Sequence, residues 1–293
     1  MLRRIRYLLP FLILLPSMAL WGQSRIDCNV LNSRILSRPV RYCVLLPPDY
    51  SSSTKPYPAL YFLHGLGQNE QTLFNTGGWN LIEDLRQLHK ISDFLIIAPN
   101  GFRSFYINSY DDKLRYEDFF LREFMPQIEH KYRVQSGRQS RAITGVSMGG
   151  YGALHMAFAH PELFSSVSVQ SAALMTKSIP ELNAAMRSGS QLGQVMAPVF
   201  GDPIQVAHWR ENDPLVLAKE HAARFKKLAI YFNCGRDDDF GFENGAEALH
   251  RLLQAQGIPH EFHLYPGDHS LPYFLSHMGE TLEFHSRAFP AGK

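Results

Sequence analysis

The sequence predicts an α/β fold in which a mostly parallel central sheet carries helices on both faces and a helical, lid-like insertion. Three observations lead there. Short, nearly continuous apolar runs recur along the chain, as strands buried on both faces require. Between them lie stretches with apolar residues at helical spacing. The residues best suited to chemistry directly follow the runs, at the strand ends where parallel sheets collect active groups.

The totals agree with one large domain. The chain has 293 residues, 45% of them hydrophobic and 19% charged, enough to close a sizeable core. Its formal net charge is +2, with no basic block beyond the N-terminus, so no nucleic-acid partner is expected. Residues 1–23 read as a secretory signal peptide. Arg3, Arg4 and Arg6 form a positive start, Tyr7 to Leu20 an apolar segment interrupted by Pro10 and Pro16, and small residues follow at Ser17, Ala19 and Gly22. The apolar segment is short for a membrane span, so no stable span is expected after cleavage, which fits following Ala19, Gly22 or Gln23. Residues 24–293 are then a single domain, secreted or periplasmic.

The elements follow in order. Two early strands are predicted at 34–37 and 40–46, around a Ser37-Arg38-Pro39 turn. Cys28 and Cys43 flank this segment, and cysteines on neighbouring strands stand at disulfide distance, so a Cys28–Cys43 bridge is expected. The remaining cysteine, Cys234, ends an apolar run and reads as a buried thiol. Tyr57 to Leu63 is a buried strand, followed by the loop His64-Gly65-Leu66-Gly67 and a helix over 78–89. A strand at 94–98, an aromatic-rich loop from Phe102 to Tyr116 and a helix over 117–132 come next. Phe120, Phe124, Ile128 and Tyr132 mark the apolar face of that helix. Ala142 to Val146 is a strand, 151–160 a helix ended by Pro161, and 164–170 another strand. The mixed stretch 171–226 reads as the insertion. Strands at 228–234 and 260–265 alternate with helices at 244–256 and 276–288 to complete the pattern.

Between the fifth of these strands and its helix lies Gly145-Val146-Ser147-Met148-Gly149, a G-x-S-x-G. In a strand-turn-helix setting this is a nucleophile elbow: the turn is too sharp for bulky neighbours, and it lifts the serine hydroxyl above the sheet edge. A serine hydroxyl attacks poorly unaided. It needs a base to take its proton, an acid to hold that base, and amides to receive the developing oxyanion. In an elbow site the acid and then the histidine follow the serine in the chain. The acid lies in Gly235-Arg236-Asp237-Asp238-Asp239, directly after a strand. Asp238 is preferred on its spacing from the strand end, with Asp237 next and Asp239 also in reach. Among 13 histidines, His269 sits between the last strand and the last helix, where the base belongs. His260 and His263 point to opposite faces of a strand, no His-Glu-x-x-His pattern occurs, and no metal is expected. The oxyanion amides are assigned to Met148, next to the serine, and Leu66, between two glycines. Tyr106, Asn108 and Tyr116 of the aromatic loop are the candidates for a substrate pocket.

Four segments together resemble a known family: Tyr61-Phe62-Leu63-His64-Gly65-Leu66-Gly67, Tyr116-Glu117-Asp118-Phe119, Gly145 to Ala153, and Asp213-Pro214. They are similar to the esterase D family of α/β-hydrolases, which includes feruloyl and acetylxylan esterases, S-formylglutathione hydrolase and secreted mycolyltransferases. The resemblance runs from about Val40 to Phe289. It implies a Ser-Asp-His triad on Ser147, Asp238 and His269, oxyanion donors at Leu66 and Met148, and no cofactor. The glutathione-ester branch usually carries Ser-Gly-Leu-Thr-Cys in the oxyanion loop. This chain has His-Gly-Leu-Gly-Gln and an export signal, which favours the secreted esterases. The expected activity is hydrolysis of a small-molecule or carbohydrate-linked ester through an acyl-enzyme. The alternatives are acyl transfer on the same triad and a non-catalytic binding protein on the same fold.

Overall fold

The computed structural model describes residues 24–188 and 191–290; the expected signal peptide lies outside them. One eight-stranded sheet organises the chain, in the spatial order β1-β2-β4-β3-β5-β6-β7-β8. Strands β1 (Arg25–Ser33) and β2 (Arg38–Leu46) form an antiparallel hairpin, and β2 pairs antiparallel with β4 (Leu95–Pro99). The other pairings, among β3 (Ala59–Leu63), β4, β5 (Arg141–Val146), β6 (Ser166–Gln170), β7 (Ala229–Gly235) and β8 (Glu261–Tyr265), are all parallel.

The hairpin corrects the sequence reading. β1 spans nine residues ahead of the turn, and the turn is Arg34 to Ser37, not Ser37-Arg38-Pro39. The Arg34 and Ile35 amides donate to the Glu123 carboxylate, which also accepts from Ser33. A residue 90 positions away thus fixes this turn, and local pattern does not reveal it. Cys28 and Cys43 face each other across the ladder and are bridged, with Cα atoms 4.1 Å apart. Tyr57 and Pro58 stand outside β3; Pro58 has no amide to give to a ladder.

Period-two alternation sends each strand's side chains to two separate cores. Tyr61, Leu63, Leu95 and Ile97 enter one, and Leu60, Phe62, Ile96 and Ala98 the other. Helix α1 (Trp79–Gln87) covers the second core. A helical run covers the first: α2 (Tyr116–Phe119), a wider turn over Phe120–Phe124, and α3 (Met125–Lys131). The turn widens just before Pro126, which cannot donate to the preceding turn. Helix α4 (Met148–Ala159) packs on β3, β5 and β6 and is apolar all round.

The insertion holds α5 (Ile179–Arg187), α6 (Gln191–Phe200), α7 (Val206–Asn212) and α8 (Pro214–Glu220). Phe200 and Trp209 are buried, and α8 packs against α4 and against α9 (Phe242–Ala255). Much of the insertion is therefore part of the helical layer. Helix α10 (Leu271–Ala288) closes the second core against α1. It starts five residues earlier than the apolar spacing suggests, because Ser270 caps it by accepting from the Tyr273 amide and Pro272 fits its first turn.

Candidate active site

Three loops meet at the carboxyl end of the sheet, after β5, β7 and β8. The first is the elbow. Ser147 has φ +54° and ψ −119°, a strained backbone for a residue with a side chain. The surroundings hold it there. The Ser147 amide donates to the Gln170 carbonyl of β6, and its carbonyl accepts from the amides of Tyr151 and Ala173. Two glycines make the turn sterically possible. A Cβ on Gly145 would lie 2.3 Å from the Gly149 oxygen, and one on Gly149 would lie 1.9 Å from the Leu63 oxygen.

The second and third loops are stitched together. The Arg236 amide donates to the Tyr265 carbonyl and the Asp237 amide to the Gly267 carbonyl. This brings Asp238 and His269 together although 31 residues separate them. His269 Nδ1 lies 2.7 Å from Asp238 Oδ2, and His269 Nε2 lies 2.9 Å from Ser147 Oγ. The other Asp238 oxygen accepts from the amides of Phe240 and Phe242 at 3.0 and 3.4 Å. Burial pushes the Asp238 carboxyl up, but the hydrogen bond and electrostatic interaction with His269, with those two amides, outweigh it. Asp238 is held below its ordinary value. Its carboxylate therefore faces His269 Nδ1 as an acceptor, which places the imidazole proton on Nδ1 and leaves Nε2 free to accept from Ser147.

The two neighbouring acids are placed differently. Asp239 accepts from the His269 backbone amide, and Asp237 is exposed with no contact to the imidazole. Cys234 is a buried free thiol with Sγ 3.7 Å from Asp238 Oδ2, and burial pushes it up to about 12. It stays a neutral thiol beside the carboxylate.

Leu66 and Met148 both line the cleft over Ser147. Met148 is the first residue of α4, so its amide has no acceptor inside the helix. The Leu66 amide is aimed by its own peptide group. The Gly65 carbonyl is engaged by His64 Nδ1 at 2.8 Å and by the Gln68 amide at 3.2 Å. In a trans peptide the N–H points opposite to the carbonyl, so the Leu66 amide is turned away from those partners. The Gly101 amide donates to His64 Nε2, which assigns the remaining ring proton to Nδ1. Burial lowers the His64 pKa, keeping this ring a neutral strut.

Of the aromatic loop, Phe105 lines the pocket and the three expected residues do not. Tyr106 and Tyr116 are fully buried, their hydroxyls donating to the carbonyls of His64 and Asn100. Asn108 is paired with Asp118. All three brace the loops behind the site, because their polar tips find backbone and side-chain partners inside the fold. The cleft, about 310 Å³, is lined instead by Phe105, Met175 and Val195, with Phe240, Phe242 and Phe274 near His269. The sequence offered one missed signal: two phenylalanines within four residues of Asp238. Among the described residues, no group of three or more His, Cys, Asp or Glu is arranged to hold a metal, and no helix is long and apolar enough to cross a membrane.

Comparison with known proteins gives a consistent picture. Residues 33–285 match the family model described as "Putative esterase". An esterase of Mycobacterium tuberculosis is 30% identical over 243 residues, covering 77% of this chain and 51% of that protein. The chain thus spans about half the length of that relative. An acetyl esterase of Caldicellulosiruptor saccharolyticus is 24% identical over 87% of this chain and 96% of its own. Among solved structures, a ferulic acid esterase superposes with TM-score 0.79 at 28% identity, covering 92% of this chain and all of that one. These neighbours have the α/β-hydrolase fold, which the eight-stranded sheet and its flanking helices share.

Proposed function

The chain belongs to this esterase family, and on that premise we propose that it is a secreted serine carboxylic-ester hydrolase acting through an acyl-enzyme on Ser147. The observation that carries the reading is the unbroken relay from Ser147 Oγ through His269 to Asp238 at 2.9 and 2.7 Å, opening on an apolar cleft.

The geometry supports the following steps. His269 Nε2 takes the Ser147 proton as Oγ attacks the ester carbonyl. The imidazolium that forms is stabilised by Asp238, whose carboxylate is already ionised and hydrogen-bonded. The amides of Leu66 and Met148 receive the oxyanion. His269 then returns the proton to the leaving alkoxide, and water repeats the sequence to release the acid. No cofactor is needed for any of these transfers. Export is supported by the Cys28–Cys43 bridge, which persists in oxidising compartments, and by the signal-like first 23 residues. The esters are taken to be small-molecule or carbohydrate-linked, by analogy with the ferulic acid and acetyl esterases it resembles.

The test is hydrolysis of a short p-nitrophenyl ester series and of methyl ferulate by wild type and Ser147→Ala. Wild type is expected to turn over at least one, and Ser147→Ala none above background. Undiminished turnover in the alanine variant would refute the mechanism. An added alcohol competing for the acyl group shows, by product analysis, whether transfer accompanies hydrolysis.

A further inference from the structure

The phenylalanines around His269 are not equivalent. Phe242 and Phe274 are buried, with rings 5.4 and 5.2 Å from the imidazole, and they belong to the two hydrophobic cores. Phe240 is 65% exposed, yet it lines the cleft and stands nearly perpendicular to His269, 4.8 Å away. One face of its ring lies along Phe242, at 5.5 Å and 22°. A large apolar ring left this open contributes little to core burial.

The reaction geometry says which part of an ester meets it. In the tetrahedral intermediate, one carbon substituent is Ser147 Oγ and one is the oxyanion, facing the amides of Leu66 and Met148. The leaving oxygen must lie within hydrogen-bond reach of His269 Nε2, because that nitrogen returns the proton. The acyl group takes the remaining direction, away from the histidine. The alcohol therefore departs along the wall that carries His269, and Phe240 is the exposed ring on that wall.

We propose that Phe240 is a specificity-determining residue that selects esters whose alcohol presents a flat apolar face, by stacking that face against its ring. The proposal rests on the esterase reading and on Ser147 as nucleophile. Its backbone amide holds Asp238, which a side-chain substitution leaves in place, so the ring can be tested separately from the relay.

The experiment compares methyl and benzyl butyrate, whose leaving alkoxides have similar basicity, in wild type, Phe240→Ala and Phe240→Trp. In wild type, Ser147-dependent turnover is required: its absence on these esters and on the p-nitrophenyl and ferulate esters overturns the esterase reading itself, and turnover of methyl but not benzyl butyrate overturns the proposal. With turnover present, Phe240→Ala is expected to lower the benzyl-to-methyl ratio of kcat/KM by about tenfold, through KM, as loss of one aromatic contact predicts. Phe240→Trp should retain the ratio. The preference between methyl butyrate and methyl hexanoate should not move, because the acyl group lies on the other side. If Phe240 only shields the imidazole, all esters lose rate together and the ratio is unchanged. That result overturns the proposal while leaving the esterase reading intact, as would an equal shift in acyl preference.

Discussion

Replacing Asp238 by asparagine separates the electrostatics of the relay from its shape. The asparagine side chain is nearly isosteric and has two orientations. In one, its carbonyl oxygen faces His269 and its NH2 faces the amides of Phe240 and Phe242, which the carboxylate now accepts at 3.0 and 3.4 Å. That sets donors against donors and strands two amides, each costing about 1–3 kcal/mol when buried. In the other, the carbonyl keeps both amides and the NH2 faces His269 Nδ1, 2.7 Å from the present oxygen. Only one contact is then wrong, and the imidazole relieves it by moving its proton to Nε2. The second orientation wins, and it leaves Nε2 a donor, unable to accept from Ser147. The expected result is a fall of about 10⁴ in kcat, or about 5 kcal/mol of barrier, with KM little changed. Initial rates on p-nitrophenyl butyrate measure it, with Asp237→Asn and Asp239→Asn as controls expected to stay close to wild type. The reasoning is refuted if Asp238→Asn stays within about tenfold of the wild-type rate, or if Asp239→Asn falls as far.

Two further outcomes concern stability. His285 is fully buried, with its ring nitrogens bonded to Ser166 and Ser168 at 2.8 and 2.7 Å, and burial lowers its pKa from 6.5 to about 3. A base with a depressed folded-state pKa stays neutral in the fold and takes up a proton on unfolding. Stability therefore falls as pH drops from 6.5 towards 3, by about 2–3 kcal/mol at pH 4.5. Denaturant melts across this window should show the slope, and His285→Gln should flatten it; an equal slope in the variant excludes His285 as the source. The Cys28–Cys43 bridge closes a loop with a sequence separation of 15, so reduction should lower stability by up to about 3 kcal/mol. Thiol counting on denatured, unreduced protein should find one free thiol, Cys234, and three would contradict the bridge.

The parallel sheet was readable because its strands are short, apolar and separated by helices with clear spacing. That Ser147 and His269 would come together was readable because an elbow and a strand-end histidine are local signals. Asp238 was separable from its neighbours only in preference, since which of three consecutive carboxylates turns inward depends on Gly267 and Tyr265 of a distant loop. The pocket was misread for a related reason. Tyr106, Asn108 and Tyr116 look like binding residues in a loop, but the carbonyls of His64 and Asn100 and the side chain of Asp118 occupy them. Nothing in their own segment announces those partners. Similarly, the β1–β2 turn was misplaced because Glu123, far along the chain, defines it.

The strand order carries a consequence for assembly. Ser147 follows β5, while His269 comes 122 residues later, beyond β8 at the sheet's edge. Each parallel strand must close a long crossover before it pairs, which makes such contacts slow to form. Until β8 docks, β7 presents an unpaired edge able to recruit another chain. The Ser147 turn can thus exist in a species that has neither the proposed base nor a protected sheet. Return of the proposed activity on refolding would time the arrival of the final strand, and until then the open β7 edge leaves the chain exposed to aggregation.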